Sequence, residues 1–345
     1  MGKTSVGKTI LVTGAAGFIG SHTVETLVKR GDHVIGLDNL NDYYDPVRKE
    51  GNLREVAEHA LEGKWPGTFQ FLKGDIRDRQ MVSDLFSDHR FDAVVHLAAM
   101  AGVRVSIDDP GLYYDVNVMG TLVLLDAAVG RIGAKAKGAS SPTFVFASTS
   151  SVYGNTKTIP FVPEDPCDRP LAPYAASKRA SELLGYTYHH LYGLDYTVFR
   201  FFTVYGPRGR PDMMAYKVLD NIFTGCEVPL YNNGNMHRDW TYVEDIVAGL
   251  VAAVDHPMGY EILNLGRGEP VLLADFVKGI EHLAGRPAHL VPAPMLDADI
   301  AYTFADISKT NKLLGYDPKT SVPEGVAKFW TWYQSAILKS ASQKS

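Results

Sequence analysis

The segment Thr13-Gly14-Ala15-Ala16-Gly17-Phe18-Ile19-Gly20 joins a predicted strand, Thr9 to Thr13, to a predicted helix, Ile19 to Arg30, that ends at Gly31. Its three glycines have separate tasks at such a junction. Gly14 permits the tight turn, Gly17 lets the backbone approach a pyrophosphate, and Gly20 lets the helix pack closely on the sheet. The N–H groups of the first helical turn then point at the ligand. The segment therefore predicts a dinucleotide site at the start of the helix.

Apolar strands and helical segments alternate along the chain after this junction. Strands are predicted at residues 33–37, 69–73, 92–98, 144–147 and 197–201, and residues 41–67 are interpreted as an insertion with a helix at 48–61. Strands that are apolar throughout and separated by helices are typical of a parallel sheet covered on both faces. We therefore predict an α/β fold with a Rossmann-type doubly wound parallel sheet. The last third is rich in Pro, Gly and Asn loops and predicts a smaller C-terminal lobe.

The composition excludes several classes of protein. A chain of 345 residues is long enough for two domains, and its net charge of -5 argues against a nucleic-acid partner, because such binding depends on clustered Lys and Arg. The longest apolar runs, such as Val94 to Val103, are too short to span a membrane. Two cysteines, Cys167 and Cys226, are typical of reduced thiols in a chain of this size, so we expect a cytoplasmic protein.

Acidic and small residues follow the next predicted strands. Asp38 ends the second strand, where a carboxylate binds the ribose hydroxyls of an adenosine and repels a 2′-phosphate. We therefore expect NAD rather than NADP, with a turn-capping aspartate as the alternative. Asp75 follows the third strand at a place suited to the adenine edge. Leu97, Ala98 and Ala99 let the backbone approach the cofactor, although ordinary turn chemistry explains these positions equally well.

Tyr174 and Lys178 are the predicted catalytic pair. They are four residues apart in a helical stretch, so the phenol and the ammonium lie on one face. A free tyrosine, with a pKa of about 10, is a poor base. A nearby cation and the positive nicotinamide of NAD both favour the phenolate. Tyr174 can then take a proton from a substrate hydroxyl while a hydride leaves the same carbon.

Two further polar positions accompany this pair. Thr149 lies at the end of the fifth predicted strand, and we expect its hydroxyl to bind the reacting oxygen and share a proton with Tyr174. A polar turn after a strand is the alternative interpretation. Asn117 is predicted in the middle of a helix, where its amide ties down the neighbouring strand.

These residues together resemble the extended short-chain dehydrogenase/reductase superfamily, from about Thr9 to Tyr333. Within it the chain is similar to the UDP-glucuronate 4-epimerase family. The similarity rests on Asp38 to Pro46, Ala101 to Arg104, Gly206 to Met213, Tyr231 to Asn235, Arg238 to Val243 and Ala305 to Lys309. One departure is Met100, where relatives usually carry Gln. Loss of that amide affects a neighbouring hydrogen bond and leaves the fold and the hydride chemistry intact.

The resemblance implies a reaction and a set of cofactor contacts. In that family NAD stays bound, and Tyr174 takes the proton of the sugar's 4-hydroxyl while hydride passes from C4 to the nicotinamide. The 4-keto sugar then turns and takes the hydride back on its other face, so that UDP-glucuronate becomes UDP-galacturonate. The implied NAD contacts are Gly14, Gly17, Phe18, Ile19, Gly20, Asp38, Asn39, Asp75, Ile76, Leu97, Ala98, Ala99, Asn117, Tyr174 and Lys178.

The resemblance also implies substrate contacts and an organisation of the chain. Arg210 offers a planar fork for the uronate carboxylate, and Arg238 suits a diphosphate. The implied substrate contacts are Arg104, Thr149, Ser150, Ser151, Thr203, Arg210, Arg238 and Asp299, and no metal is expected. We expect residues 9–204, with segments near 242–264 and 297–310, to form the NAD-binding part, and residues 205–241 and 265–335 to form the nucleotide-sugar-binding lobe. Relatives are often homodimers built on helices near residues 112–128 and 174–192.

Several other functions stay open at this point. A UDP-glucose or UDP-N-acetylhexosamine 4-epimerase shares every catalytic part. A nucleotide-sugar dehydratase typically carries Asp-Glu in place of Ser150 and Ser151, and a uronate decarboxylase usually carries Glu at the second of these positions. This chain has hydroxyl side chains at both. A cofactor-sensing protein on the same fold commonly loses the tyrosine or the lysine, and both Tyr174 and Lys178 are present.

Overall fold

A seven-stranded parallel sheet runs through the centre of the protein, in a computed structural model that describes residues 7–133 and 140–338. The strands of the described residues are β1 (Thr9–Thr13), β2 (His33–Asp38), β3 (Thr68–Lys73), β4 (Ala93–His96), β5 (Thr143–Thr149), β6 (Tyr196–Phe201), β7 (Thr203–Tyr205), β8 (Glu227–Tyr231), β9 (His237–Tyr242), β10 (Tyr260–Leu265), β11 (Pro270–Leu272) and β12 (His289–Ala293). The order in the large sheet is β10-β6-β5-β4-β1-β2-β3. The strand order reverses between β1 and β4, which is where ligands bind in open α/β sheets.

Helices cover both faces of this sheet. They are α1 (Phe18–Arg30), α2 (Pro46–Glu62), α3 (Arg79–Asp88), α4 (Val105–Asp108), α5 (Pro110–Tyr114), α6 (Gly120–Ala128), α7 (Pro173–Tyr192), α8 (Met214–Thr224), α9 (Val243–Asp255), α10 (Leu273–Ala284), α11 (Ser308–Leu314) and α12 (Val322–Tyr333). Ile10 and Val12 belong to the apolar core that contains α1 and α9, whereas Leu11 belongs to the core that contains α3 and α6. Successive strand residues point to opposite faces, so both faces of β1 are buried.

The predicted Rossmann-type sheet is confirmed, and the element boundaries differ in detail. β1 has the predicted bounds, and α1 begins at Phe18 and ends before Gly31, whose left-handed φ of 110° closes the helix. The insertion contains α2, which is longer than predicted because Asp45 caps its first turn and Pro46 opens it. β4 covers Ala93–His96 and is shorter than the predicted strand at 92–98.

The prediction that Asn117 lies in the middle of a helix is confirmed, but the helix is not a regular α-helix at this point. Residues Asp115–Met119 form a π-helical turn between α5 and α6. Such turns widen the helix locally and are frequent at functional sites.

The C-terminal part adds two small sheets to the large one. β7, β9 and β11 form one, and β8 and β12 form the other. Asp239, in β9, is fully buried and accepts hydrogen bonds from the backbone N–H groups of Arg267, Gly268 and Ala305 at 2.6, 2.9 and 3.0 Å. One carboxylate thus fastens two distant segments to β9. Within the described residues, no helix is long and apolar enough to cross a membrane.

Candidate active site

An open cleft lies at the carboxyl ends of the central strands. Its empty space is about 1150 Å³, counted out to its mouth. Every predicted cofactor residue except Asn117 lines it: Gly14, Gly17, Phe18, Ile19, Gly20, Asp38, Asn39, Asp75, Ile76, Leu97, Ala98, Ala99, Tyr174 and Lys178. Of the predicted substrate residues, Arg210 lines the cleft as well.

The glycine turn has the shape that a pyrophosphate needs. Gly14 has a φ of 71°, and a Cβ there would lie 2.8 Å from the backbone nitrogen of Ala98. A Cβ on Gly20 would lie only 1.9 Å from the carbonyl oxygen of Gly14. At Gly17 an added Cβ would meet a single neighbour, at 3.2 Å, so its other side is open. Gly14 and Gly20 therefore bring helix and strand together, and Gly17 leaves room at the helix start for phosphate oxygens.

The carboxylate of Asp38 is fixed beside this turn. It accepts hydrogen bonds from the backbone N–H groups of Ala16 at 3.1 Å and Leu40 at 2.9 Å. Burial raises its pKa, against these hydrogen bonds and the charge of Lys49. A carboxylate has about four acceptor sites, so two remain for ribose hydroxyls. The residues present therefore fit a dinucleotide, although Asp38 also has the turn-capping role given above as the alternative.

Asp75 is engaged by its own neighbours. The Arg77 guanidinium donates to it through Nε at 3.0 Å and Nη2 at 2.8 Å, and the Asn39 amide donates at 3.0 Å. Hydrogen bonding to Arg77 lowers the pKa of Asp75 to about 2, despite its partial burial. The Arg77 backbone N–H donates as well, at 2.9 Å, so Asp75 borders the cleft as an anion whose oxygens already have four donors.

Tyr174 and Lys178 lie in the first turns of α7, which begins at Pro173. The Lys178 ammonium lies 4.2 Å from the centroid of the Phe146 ring and is almost fully buried. Burial lowers its pKa to about 7, and the charge of Glu182 opposes this shift. A lysine with this pKa can exchange its proton near neutral pH.

The electrostatics of Tyr174 differ from the prediction in one respect. Burial raises the pKa of the phenol, and two groups oppose the shift: the charge of Arg210 and a hydrogen bond with Thr149. From the sequence, only Lys178 and the cofactor were expected to be cations that act on Tyr174. Arg210 is therefore a further cation that favours the phenolate.

Ser148 and Glu182 belong to a buried hydrogen-bond network that includes the catalytic helix α7. Ser148 lines the cleft and donates to the Glu182 carboxylate at 2.5 Å. Glu182, one helical turn beyond Lys178, also accepts from Arg200 and Arg179 at 2.9 and 2.8 Å. This network was not predicted from the sequence. The spacing of Tyr174, Lys178 and Glu182, each four residues apart on one helix face, was the available signal.

Asn117 holds the wall of the cleft and does not line it. Its amide accepts from the Met100 backbone N–H at 2.8 Å and donates to the Met100 carbonyl at 3.0 Å and to the Ser177 hydroxyl at 2.9 Å. Together these contacts connect the loop after β4 to α7 through Asn117. The geometry gives Asn117 a supporting role instead of the implied cofactor contact.

The hydroxyl run after β5 lies at the rim of the site. Thr149 accepts from the Ser151 backbone N–H at 3.1 Å and opens the 3₁₀ turn Ser150–Tyr153. Thr149, through its hydrogen bond with Tyr174, is the member of this run joined to the catalytic pair. Ser150, Ser151 and Thr203 are half-buried and lie outside the lining of the cleft.

A second group of predicted residues gathers around Asp299. Arg104 donates to Asp299 at 2.9 Å, and its guanidinium lies 3.5 Å from the centroid of the Tyr231 ring. Arg238 donates to the carbonyl oxygens of His237 and Ala301. Burial lowers the pKa of Arg238 to about 10, with Asp299 opposing and Arg104 adding to the shift. Two guanidinium groups thus share one carboxylate, which leaves a positive site suited to an anion.

The remaining residues that line the cleft were not predicted from the sequence as site residues. They are Leu37, Asn41, Tyr43, Tyr44, Lys49, Gly74, Ala101, Val116, Ala147, Ser148 and Phe201. Lys49 donates to the side chain of Asn41 at 2.6 Å, and Asn41 donates to the Met100 sulfur at 3.7 Å. The insertion after β2 therefore forms one wall of the cleft. Among the described residues, no group of His, Cys, Asp and Glu has the arrangement of a metal site.

Comparison with known proteins shows the family. The model of the NAD dependent epimerase/dehydratase family matches residues 10–266, which is most of the chain.

The chain belongs to the NAD dependent epimerase/dehydratase family. This membership confirms the predicted resemblance and the dependence on NAD. This epimerase/dehydratase is 42% identical to a UDP-glucuronate 4-epimerase of Thermodesulfobacterium geofontis, over 95% of this chain and 96% of the relative. It is 40% identical to UDP-glucuronate 4-epimerase 4 of Arabidopsis thaliana, over 96% of this chain and 76% of the relative.

Two solved structures of the family are similar throughout. The UDP-glucuronic acid 4-epimerase of Bacillus cereus, in complex with UDP-glucuronic acid and NAD, has a TM-score of 0.83 and 34% identity, over 94% of this epimerase/dehydratase and 99% of that chain. The UDP-glucose 4-epimerase of Thermotoga maritima with UDP-glucose has a TM-score of 0.83 and 31% identity, over 95% and 99%.

Proposed function

We propose that this chain is a UDP-glucuronate 4-epimerase, which interconverts UDP-glucuronate and UDP-galacturonate through a 4-keto sugar. The observation that carries this proposal is the position of Arg210. It lines the same cleft as Tyr174, and its charge favours the ionised form of the Tyr174 phenol. A guanidinium beside the catalytic phenol suits a hexose that carries a carboxylate. The relatives named UDP-glucuronate 4-epimerase support the same substrate.

The cofactor is NAD, held by the glycine turn and by Asp38. The N–H groups at the start of α1 bind the pyrophosphate, and the Asp38 carboxylate binds the adenosine ribose. NAD, when bound there, would supply reversible hydride chemistry at C4 of the sugar. Because Asp38 is an anion in a tight turn, a 2′-phosphate at this position is disfavoured.

The chain's own residues move the proton. Tyr174 Oη takes the proton of the 4-hydroxyl and gives it back when the sugar is reduced. Thr149 supports the phenolate by a hydrogen bond, and Arg210 adds positive charge near it. Lys178, in its protonated form, is proposed to add a second positive charge. A 4-keto uronic acid is a β-keto acid, which can lose CO₂. Arg210 therefore also serves to hold the carboxylate in a position that disfavours this cleavage.

Residues Arg104, Arg238 and Asp299 are proposed to bind the UDP part. Arg238 is half-buried, and within the described residues its hydrogen bonds go only to carbonyl oxygens, so an anion would lower the electrostatic cost of its burial. Thr149, Ser150, Ser151 and Thr203 supply small hydroxyl donors for the sugar. Their chemistry also favours an epimerase over a dehydratase, because elimination of water needs an acid that a hydroxyl side chain cannot replace.

The finer assembly and location are part of the proposal. Five apolar side chains on α5, on the π-helical turn that follows it and on α7 are about half exposed: Tyr114, Met119, Leu183, Tyr186 and Leu191. A patch of this kind fits a second copy of the chain, so we infer a homodimer. Both cysteines are unpaired, which agrees with a cytoplasmic location. The division into an NAD-binding part and a nucleotide-sugar-binding lobe, with the bounds given above, is proposed with it.

The test is incubation of the purified chain and NAD with UDP-glucuronate, followed by identification of the product. We expect UDP-galacturonate without lasting NADH absorbance. Release of CO₂ with a UDP-pentose would identify a decarboxylase, and conversion of UDP-glucose alone would identify a hexose epimerase. The matched control is Tyr174→Phe, which should lose about 10²- to 10⁴-fold in turnover and still bind NAD. Unchanged turnover in that variant would contradict the proposed role of Tyr174.

A further inference from the structure

Arg210 is held on one edge by Asp212. The guanidinium donates through Nε to Oδ1 at 2.9 Å and through Nη2 to Oδ2 at 2.7 Å, which is a bidentate ion pair. A guanidinium has five N–H donors, so this pairing uses two of them. In the part of the chain that the structure describes, Nη1 has no hydrogen-bond partner. The edge formed by Nη1 and the outer N–H of Nη2 is therefore available to a ligand.

The pair is oriented toward the cleft. Arg210 lines the cleft with Tyr174, whereas Asp212 does not. The Asp212 side chain is 39% exposed and that of Arg210 is 20% exposed, so the carboxylate is the more solvent-accessible partner. Because Arg210 itself lines the cleft, its unpaired edge is available to a ligand bound there.

Tyr43 fixes the pair from the opposite wall. Its ring centroid lies 5.5 Å from the Arg210 guanidinium carbon, and its hydroxyl donates to Asp212 Oδ2 at 3.4 Å. Tyr43 belongs to the insertion after β2, and Asp212 to the segment before α8. Two side chains from two segments therefore restrict Arg210, which otherwise has many rotamers.

The charge state agrees with this arrangement. Burial opposes ionisation of Asp212, but the hydrogen bonds and the charge of Arg210 outweigh it, so the pKa of Asp212 is lowered. Asp212 is then an anion at neutral pH. It can act in two opposite ways: it can orient Arg210 for a ligand carboxylate, or it can compete with that carboxylate. The bidentate contact on the outer edge favours orientation, because it leaves the inner edge free.

We propose that Asp212 is the positioning residue that makes the site selective for a carboxylate-bearing sugar, by holding the outer edge of Arg210 so that its inner edge faces the sugar. This inference rests on the proposed function. It assigns the discrimination between uronate and neutral sugar to the ordered Arg210–Asp212 pair and not to the charge of Arg210 alone. A pre-oriented fork binds a planar carboxylate at a lower entropic cost than a mobile one.

The test compares Asp212→Asn with wild type on two ligands. Because Asp212 is partly exposed, we expect a moderate effect: the KM and the Kd for UDP-glucuronate rise roughly three- to tenfold, and the Kd for UDP-glucose changes by less than about twofold. Asp212→Glu, which keeps the charge, should recover part of the loss. The matched control is Asp168→Asn, since Asp168 is 69% exposed and its nearest cation, Arg169, is 3.8 Å away.

Three results would overturn the proposal. Tighter binding of UDP-glucuronate by Asp212→Asn would show that Asp212 competes with the substrate carboxylate. Equal weakening of both ligands would show a merely structural role, and no change in either would show no role. The Kd values are measured by calorimetry with NAD present, so they test Asp212 even if no product forms. A wild-type chain that binds UDP-glucuronate without converting it would contradict the proposed function alone.

Discussion

The carboxylate of Glu182 and the guanidinium of Arg200 form a fully buried ion pair, with Nη2 2.9 Å from Oε2. Glu182 lies in α7 one turn beyond Lys178, and Arg200 lies in β6. The pair thus joins the catalytic helix to the sheet, and the Ser148 hydroxyl in the cleft donates to the same carboxylate.

Removal of one partner of this pair should destabilise the protein strongly. Arg200→Met leaves Glu182 with only Arg179 as a cationic partner, so we expect the free energy of unfolding to fall by about 3–5 kcal/mol. Urea denaturation at pH 7 measures this change. Asp168→Asn, at an exposed pair, is the control and should change stability by less than about 0.5 kcal/mol. A similarly small effect of Arg200→Met would mean that the buried pair contributes little.

The stability of the nucleotide-free chain should depend on the ionisation of Lys178. Burial lowers its pKa to about 7 from an ordinary value of 10.5. Between these values the unfolded chain binds the proton and the folded chain does not, so stability rises with pH by about 1.4 kcal/mol per unit. Lys178→Met lacks this contribution. Urea denaturation of both proteins at pH 7.5 and 9.5 should show wild type gaining relative to the variant, and a constant difference would refute the assignment.

Two glycines of the cofactor turn should respond differently to alanine. In Gly20→Ala the new Cβ would lie 1.9 Å from the Gly14 carbonyl oxygen, so α1 must move. We expect a loss of about 1–3 kcal/mol of stability together with weaker NAD binding. Gly17→Ala meets one atom at 3.2 Å and should weaken NAD binding with little change in stability. Thermal unfolding and NAD titration separate the two effects, and equal stability of both variants would contradict the geometry.

Arg210 and Arg238 should contribute to different parts of substrate binding. Arg210→Ala should weaken UDP-glucuronate far more than UDP-glucose, because only the uronate carries the carboxylate. Arg238→Ala should weaken UDP-glucuronate, UDP-glucose and UDP alike, by roughly ten- to hundredfold, since a charged hydrogen bond to the shared diphosphate is lost. Titration of each ligand measures the pattern. If Arg210→Ala weakened all three equally, its proposed contact with the carboxylate would be wrong.

The sequence predicted those parts of the site that depend on local spacing. The glycine turn, Asp38 and the pair Tyr174 and Lys178 are set by short-range geometry: a strand, a tight turn, or one helical turn. Their positions in the cleft follow once the strands are parallel, because the carboxyl ends of such strands share one edge. The fold could be predicted for the same reason, since a buried parallel strand is apolar throughout.

Contacts between distant segments could not be predicted in this way. Asp212 and Tyr43 meet at Arg210 only because the insertion after β2 and the segment before α8 form opposite walls. Asn117 had a polar side chain in an apolar segment, but its partners, Met100 and Ser177, depend on the packing of α7. Such contacts are fixed by tertiary packing, which leaves no periodic pattern in the sequence.

The edge position of β10 in the large sheet affects the state of β6 while the chain is being synthesised. β6 has β5 on one side and β10 on the other, and β10 is the last strand of that sheet to leave the ribosome. Until Tyr260 to Leu265 have been synthesised, one side of β6 has unpaired N–H and C=O groups along its length. An unpaired strand of this kind is a template for intermolecular pairing. A C-terminally truncated fragment that stops before Tyr260 should therefore aggregate during expression, even though it contains the complete glycine turn and the catalytic helix.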